Sequence, residues 1–296
     1  MKNYITAMHT LRDITELRRT LREHRLRGQR IALVPTMGNL HAGHLALVTR
    51  ARANADVVVA SLFVNPLQFG PGEDLDAYPR TFEADQAQLV EAGCDILFAP
   101  TVSALYPHGL ATQTRVHVPE VGAGLCGGSR PGHFDGVSTV VSMLFNLVQP
   151  DIACFGKKDY QQLVVIRKLV SDLHLPIEII GVPIVRAEDG LALSSRNGYL
   201  SPEERAIAPT LYRTLSTLRD ALERGESIDQ TLHQGQAALN DAGFTPDYLE
   251  LRDTALGAVS DDTRHAVLLA AAQLGPARLI DNLSVRLPDA VRSSGR

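Results

Sequence analysis

The segment Pro35-Thr36-Met37-Gly38-Asn39-Leu40-His41-Ala42-Gly43-His44 follows a short apolar run and opens a helical pattern. Gly38 and Gly43 let the backbone approach a ligand closely, and a helix N-terminus attracts an anion. His41 and His44 stand three residues apart with no bulky side chain between them. Two imidazoles so placed can donate to phosphate oxygens and answer charge as it develops during group transfer. The plainer alternatives are two loop histidines without a task, or a zinc pair. Against zinc, no Glu follows as in H-E-x-x-H and no third ligand lies near.

Three more segments carry chemistry. In Phe63-Val64-Asn65-Pro66-Leu67-Gln68-Phe69-Gly70, Asn65 and Gln68 are neutral donors and acceptors among apolar neighbours. That mixture suits a small polar organic substrate, though a plain turn around Pro66 would read the same way. The stretch Glu73-Asp74-Leu75-Asp76 beyond it reads as a lid or as a solvated loop. Gly156-Lys157-Lys158-Asp159-Tyr160-Gln161-Gln162 again lies between a strand and a helix. A lysine there opposes the helix dipole, a cost that a bound anion would offset; two exposed lysines are the alternative. Asp159 could cap the helix or hold a ribose hydroxyl, and Gln162 would face the same pocket as the loop. Leu193-Ser194-Ser195-Arg196-Asn197 offers two hydroxyls and a guanidinium, a phosphate clamp or else a hydrophilic linker. Gly122-Ala123-Gly124-Leu125-Cys126-Gly127 spells a dinucleotide fingerprint, but Gly128-Ser129-Arg130-Pro131-Gly132 is read as following it in place of a helix. There is no G-x-x-x-x-G-K-[ST].

The elements that must position these groups alternate. Leu11, Ile14, Leu17 and Leu21 predict a helix over 11–27, with Thr10 as its cap and Gly28 beyond its end. Strands are predicted at 31–34, 57–64, 95–98, 152–155 and within 177–185, and helices at 44–54, 81–92, 137–148 and 159–173. This alternation predicts a doubly wound, Rossmann-like parallel sheet of the α/β class over residues 1–186. After it come helices opened by Ser201-Pro202-Glu203-Glu204 and then strand-like runs at 248–251, 266–269 and 278–285. They predict a smaller C-terminal α+β domain over 187–296, the junction lying near 186–200 and Ser293-Ser294-Gly295-Arg296 fraying at the end.

Composition narrows the class. The 296 residues are 45% hydrophobic and 21% charged, and 29 Lys+Arg against 33 Asp+Glu leave a net charge of -4. That argues against a disordered chain and a polybasic nucleic-acid scaffold, while the absence of Trp argues against a stacking platform for single strands. No apolar run is long enough to span a membrane. The first ten residues lack the pattern of a secretory signal, and Asp13, Glu16 and Glu23 interrupt the Arg-rich stretch in a way unlike a transit peptide. Cys94, Cys126 and Cys154 match no zinc spacing and cannot all pair, which fits a reducing cytoplasm.

The two histidines with a late Ser-Ser-Arg resemble the HIGH-motif superfamily of nucleotidylyltransferases and class I aminoacyl-tRNA synthetases. A closer resemblance runs through residues 31–200. Pro35-Thr36-Met37-Gly38 to His44, Phe63 to Phe69, Tyr78-Pro79-Arg80-Thr81, Arg130-Pro131-Gly132-His133-Phe134, Phe155 to Gln162 and Leu193 to Asn197 look like the pantothenate synthetase family, in family order. Ala42 and Lys157 fall at positions that vary in that family.

This resemblance implies an ATP-dependent ligase that joins (R)-pantoate to β-alanine through a pantoyl adenylate, releasing pyrophosphate and AMP. It further implies a cytoplasmic homodimer serving vitamin B5 and coenzyme A synthesis, with no nucleic-acid or membrane partner. On the same resemblance, Met37, Gly38, Asn39, Leu40, His41, Ala42, Gly43 and His44 line the ATP site, with His44 as proton donor. Gly156, Lys157, Lys158, Asp159, Val185, Leu193, Ser194, Ser195 and Arg196 complete it. Gln68 and Gln162 hold pantoate, and Gln68 later holds β-alanine. His41, His44, Lys158, Ser195 and Arg196 could meet the charge that builds on the phosphate oxygens. Mg²⁺ would ride on the ATP phosphates with few protein ligands, Asp85 offering an outer-shell contact. A nucleotidylyltransferase that keeps the nucleotide on its product and an ATP sensor without turnover are the competing readings. The cationic set disfavours the sensor, which needs affinity rather than stabilisation of developing charge.

Overall fold

The computed structural model describes residues 8–288. The terminal Ser293-Ser294-Gly295-Arg296, read as fraying, and most of the stretch read against a secretory signal lie outside them. The chain divides into two compact units, one of residues 8–157 and 161–185 and the other of 158–160 and 186–288.

The first unit is built on strands β1 (His9–Leu11), β2 (Ile31–Thr36), β3 (Val57–Leu62), β4 (Ile96–Phe98), β5 (Ile152–Gly156) and β6 (Glu178–Val182). They form one sheet in the order β1-β4-β3-β2-β5-β6, and every neighbouring pair is parallel. Between them run helices α1 (Ile14–Leu26), α2 (Ala42–Arg52), α3 (Phe82–Glu91), α4 (Val102–Leu105), α5 (Leu125–Ser129), α6 (His133–Val148) and α7 (Tyr160–Asp172). Ala32, Val34, Val58, Ala60, Leu97 and Cys154 pack with Leu47, Val48 and Ala51 of α2 on one face of the sheet. The alternate residues Leu33, Val59 and Phe98 are buried as well. Strands buried on both faces are what an unbroken apolar run encodes, and they require helices on each side. The sheet order reverses between β2 and β5, so the loops leaving their carboxyl ends flank the switch point where such folds bind ligands.

Two local expectations are overturned. Thr10 does not cap the first helix and Leu11 does not open it; residues 9–11 are extended. They form β1, which pairs His9, Thr10 and Leu11 with Ile96, Leu97 and Phe98. The cap of α1 is Asp13, whose carboxylate accepts from the Glu16 N–H at 2.9 Å. A helix also begins inside the glycine run: Gly124, at φ 64, precedes the five residues of α5. No strand leads into it among the described residues, so the dinucleotide fingerprint still lacks half of its context.

The second unit carries α8 (Pro202–Ile207), α9 (Thr210–Glu223) and α10 (Ile228–Asp241), followed by β7 (Thr245–Asp253), β8 (His265–Leu274) and β9 (Ala277–Arg286). The three strands form an antiparallel sheet in sequence order. Ser201 and Glu204 cap α8 reciprocally, the Ser201 N–H donating to the Glu204 carboxylate at 2.8 Å. The core of this unit takes Leu211, Leu215, Leu218 and Leu222 from α9 and Leu268, Ala270 and Ala272 from β8.

Candidate active site

The histidine loop is held from below by a carboxylate. Asp85, on α3 and fully buried, accepts from the Asn39 N–H at 3.0 Å, the Leu40 N–H at 2.7 Å and the Thr81 hydroxyl at 3.1 Å. A buried carboxylate is stable only when its oxygens are spent in this way. Gly38 sits at φ 94, and a Cβ there would lie 3.1 Å from the Asp85 carboxylate, so the turn closes only with glycine. These three bonds draw on a carboxylate with about four acceptor sites, so the clasp on the loop comes first among the tasks of Asp85.

The clasped loop delivers His41 to the cap of α2. Its Nδ1 accepts from the Gly43 N–H at 3.1 Å, while Nδ1 of His44 accepts from the His41 N–H at 3.3 Å. This is a capping box built from two imidazoles, with ring centroids 4.1 Å apart. In a neutral imidazole whose Nδ1 accepts, the proton resides on Nε2. Both rings are therefore set as Nε2–H donors beside the first turn of a helix.

Asn65 and Gln68 form the next layer, after β3. Asn65 is buried and its amide is fully engaged. Nδ2 donates to Gln68 Oε1 and to the Gly136 carbonyl, each at 3.1 Å, and Oδ1 accepts from the Tyr106 hydroxyl at 2.7 Å and the Leu67 N–H at 3.3 Å. That leaves its amide no capacity for a substrate, and the geometry makes Asn65 the support of Gln68. Gln68 Nε2 also donates to Met37 Sδ at 3.1 Å, which joins this layer to the histidine loop. Close approach of backbone makes the layer compact, since a Cβ on Gly136 would fall 2.2 Å from the Leu67 carbonyl.

A chain of charged groups braces Gln68 from the other side. Arg130 donates to Glu73 through Nε at 2.8 Å and Nη2 at 2.6 Å, and to His133 Nε2 at 3.0 Å. A guanidinium only donates, so His133 carries its proton on Nδ1 and gives it to the Gln68 carbonyl at 2.7 Å. Burial pushes the Glu73 carboxyl up, but the hydrogen bond and charge of Arg130, aided by His133, hold it net below its ordinary value. The acidic stretch read as a lid or a solvated loop is thus tied down at Glu73. Arg80 also donates to the carbonyls of Leu75, Asp76 and Tyr78.

Gly156 closes β5, and Gln161 and Gln162 stand at the start of α7. Gln161 is buried and donates to the carbonyls of Val121, Ala123 and Gly124, which leaves half-buried Gln162 as its more accessible neighbour. Lys158 and Asp159, on a 3-10 turn, group with the second unit, where the Lys158 carbonyl accepts from Asn282 Nδ2 at 3.0 Å. In the same unit the Ser194 hydroxyl accepts from the Arg196 N–H at 3.3 Å and opens a 3-10 turn from Ser195. The predicted residues therefore gather as two sets. Met37 to His44, Asn65, Gln68, Gly156, Lys157, Gln162 and Val185 belong to the first unit, and Lys158, Asp159, Leu193, Ser194, Ser195 and Arg196 to the second.

Tyr106, Arg130, His133, Arg186, Asp281 and Asn282 were not singled out in the sequence as working residues. Arg130 and His133 stood within a motif that suggested no role, and the others offer no local signal. Cys94, Cys126 and Cys154 are free and buried. Burial pushes the Cys94 thiol up to about 12 and the Cys154 thiol up to about 11, which leaves neither as a nucleophile.

A model of the family described as pantoate-β-alanine ligase matches residues 9–284. The pantothenate synthetase of Chromohalobacter salexigens is 65% identical over 282 residues, covering 95% of this chain and 100% of that protein. The crystal structure of pantothenate synthetase from Thermus thermophilus superposes with a TM-score of 0.88 at 52% identity, covering 93% of this chain and 99% of that one. Pantoate-β-alanine ligase from Francisella tularensis, complexed with beta-gamma ATP and β-alanine, superposes with a TM-score of 0.78 at 32% identity, covering 94% and 97%. With the parallel sheet, the clasped histidine loop and these matches in place, the chain belongs to the pantoate-β-alanine ligase family.

Proposed function

We propose that the chain condenses (R)-pantoate with β-alanine to pantothenate at the expense of ATP, through a pantoyl adenylate. ATP-dependent formation of pantothenate is the known reaction of the family. The observation that carries the reading at this site is the imidazole capping box on the loop that Met37 joins to Gln68. It provides two fixed Nε2–H donors, and Gln68 adds an amide that keeps one N–H and one lone pair beyond its bonds to Met37 and Asn65. The ATP and β-alanine of the Francisella complex support the substrates.

The chemistry proceeds in two displacements. A carboxylate oxygen of pantoate attacks the α-phosphorus, and the bond to the bridging oxygen breaks with its electron pair leaving on pyrophosphate. The neutral amine of β-alanine then attacks the acyl carbon. The C–O bond to AMP breaks, AMP departs with that pair, and the amine proton passes to solvent. In this reading His41 and His44 donate Nε2–H to oxygens that gain charge, with His44 as the proton donor. Lys158, Ser195 and Arg196 hold the phosphates, and Gln68 and Gln162 hold pantoate. Fixed donors are effective there because they need no reorganisation as charge shifts.

Mg²⁺ enters this reading with the ATP substrate. Among the described residues no group of three or more His, Cys, Asp or Glu could form a cage for it, and Asp85 is its outer-shell contact in this reading. The described helices include none long and apolar enough to cross a membrane. The reading also holds the protein to be a cytoplasmic homodimer, for which sedimentation should give twice the mass of the chain.

The deciding experiment incubates the chain with ATP, pantoate and β-alanine and follows AMP. Release that requires both pantoate and β-alanine is expected. A stable adenylylated product would instead indicate a nucleotidylyltransferase, and ATP binding without AMP would indicate a sensor.

A further inference from the structure

Two neighbouring residues of β9, neither part of the sites above, grip both segments assigned to the phosphates. Asp281 is 3% exposed and receives both arms of Arg186, Nη1 at 2.6 Å and Nη2 at 2.8 Å. The Arg186 guanidinium lies over the Tyr212 ring, 4.0 Å from its centroid. Tyr212 in turn packs on Gly190, where a Cβ would come within 2.4 Å of the ring. Arg186 also donates to the Gly190 carbonyl at 3.1 Å, and its backbone bridges Ala192. The turn over 186–192 is therefore locked to Asp281, and Leu193-Ser194-Ser195-Arg196 leaves directly from it. Asn197 ties the far side of that segment back to the Ala192 carbonyl at 3.1 Å.

The adjacent residue acts on the lysine. Asn282 gives its backbone N–H to the Asp281 carboxylate at 2.7 Å and its side-chain Nδ2 to the Lys158 carbonyl at 3.0 Å. Tyr160 secures the other end of the same short segment by donating to the Thr254 carbonyl at 3.0 Å. A small cavity lined by Lys158, Ala192, Ser194, Asn197 and Asp281 marks where these parts meet.

We infer that Asp281 and Asn282 form a positioning site, with Asn282 setting Lys158 through its carbonyl and the Arg186–Asp281 pair setting the Ser195–Arg196 segment. The inference rests on the reading above that these cationic groups meet ATP. A buried ion pair is a weak source of stability, since well-packed apolar residues would hold a small sheet together equally well. What the pair supplies is geometry. It is held on four sides, and both phosphate-facing segments are referred to it. A lysine on a flexible stem is only as well placed as its backbone, and a displacement of about 1 Å at such a group can cost about 100-fold in rate.

The test uses the full chain and compares Asn282→Ala, Asn282→Asp, Lys158→Ala and the double variant Lys158→Ala/Asn282→Ala. ATP affinity is read by calorimetric titration, kcat and KM from AMP release, and folding from thermal unfolding. Asn282→Ala is expected to weaken ATP about fivefold, the loss of one hydrogen bond. Its kcat should fall by on the order of 10–100-fold, with the KM for β-alanine changed by less than about twofold. Asn282→Asp keeps the size but loses the donor, and should be as slow as Asn282→Ala. The double variant should be no worse than Lys158→Ala alone, in affinity and in rate. Unchanged affinity and rate in Asn282→Ala, full activity in Asn282→Asp, or losses that add in the double variant would each overturn the role. Should Asn282→Ala fail to fold, Asn282→Ser, whose donor stops short of the carbonyl, serves the same comparison. A chain that loses ATP affinity in this pattern yet never makes pantothenate would overturn the proposed reaction and leave the positioning role standing.

Discussion

At the scale of single residues, the capping role of His44 and the catalytic role proposed for it can be separated. Its Nδ1 closes the capping box, which places the proton of the neutral ring on Nε2. Removing the ring costs the helix about 1 kcal/mol of capping. Removing a preorganised donor to developing charge costs on the order of 10²–10³ in kcat. His44→Ala should show both losses and stay folded. His44→Asn, which keeps an acceptor near Nδ1 but has nothing at Nε2, should regain stability without regaining rate. Turnover of AMP at the unsubstituted rate in either variant would take His44 out of the mechanism. Asn65 and Gln68 make a second contrast. Asn65→Ala strands the Tyr106 hydroxyl and the Leu67 N–H in a buried place, so it should lower stability by about 1–3 kcal/mol. Because the same change frees Gln68, it should also raise the KM for pantoate. Gln68→Ala should raise that KM with a smaller loss of stability and little effect on ATP. Pantoate KM values unchanged in both would end the assignment of Gln68 to the acid.

Elements carry the next set of consequences, because the loop after β2 has no secondary structure of its own to hold it. Asp85 substitutes for that structure from α3. Asp85→Asn keeps the volume but turns one oxygen into a donor facing backbone N–H groups. The expected result is a loss of about 1–3 kcal/mol on thermal unfolding and a raised KM for ATP. The loop at Glu73 adds a pH dependence. Its carboxyl lies below the ordinary value of 4.5 when folded. A depressed group contributes stability that is present above the ordinary value and is lost as pH falls through the folded one. The stability difference between the chain and Glu73→Gln should therefore be open at pH 7 and close in acid. A difference that stayed constant from pH 7 to strong acid would show that the pair contributes nothing to folding. Much of the element order was legible in the sequence because it rests on short-range patterns. The apolar runs at 31–34, 57–64 and 152–155 and the caps at Ser201 and Gly93 lie where strands and helices begin and end. What escaped was decided far along the chain. Thr10 looks like a cap until Leu97 pairs with it, and nothing near Asp85 in the sequence announces that it clasps Asn39 and Leu40. Asn65 reads as a free amide until Tyr106 and Gly136 saturate it.

For the whole molecule, the two cores draw on separate stretches of chain. Among the described residues, the apolar cluster around α2 takes none beyond Val182, and that around α9 takes none before Ala187. The exception to this division involves a residue with a proposed role in the reaction. Residues 158–160 run from the turn after β5 into the first residue of α7 but group with the second unit, through the bonds of Asn282 and Thr254. A protein cut after residue 185 would thus keep all six strands of the parallel sheet, its buried apolar faces and the clasped histidine loop. It would lose Leu193 to Arg196 outright, and Lys158 and Tyr160 would remain covalently present without their anchors. Such a fragment should fold, with the far-UV circular dichroism of an α/β domain, because its core is complete. Its release of AMP from ATP, pantoate and β-alanine should fall by more than about 10³-fold, because positioning and charge stabilisation fail together. The ratio matters more than the loss. Lys158→Ala in the full chain should cost on the order of 10²–10³, and introducing the same substitution into the fragment should then change little, since an unanchored lysine has no rate advantage left to lose. A fragment that is folded and still slowed strongly by Lys158→Ala would mean that the first unit alone places the lysine, and that the second unit contributes only its own side chains.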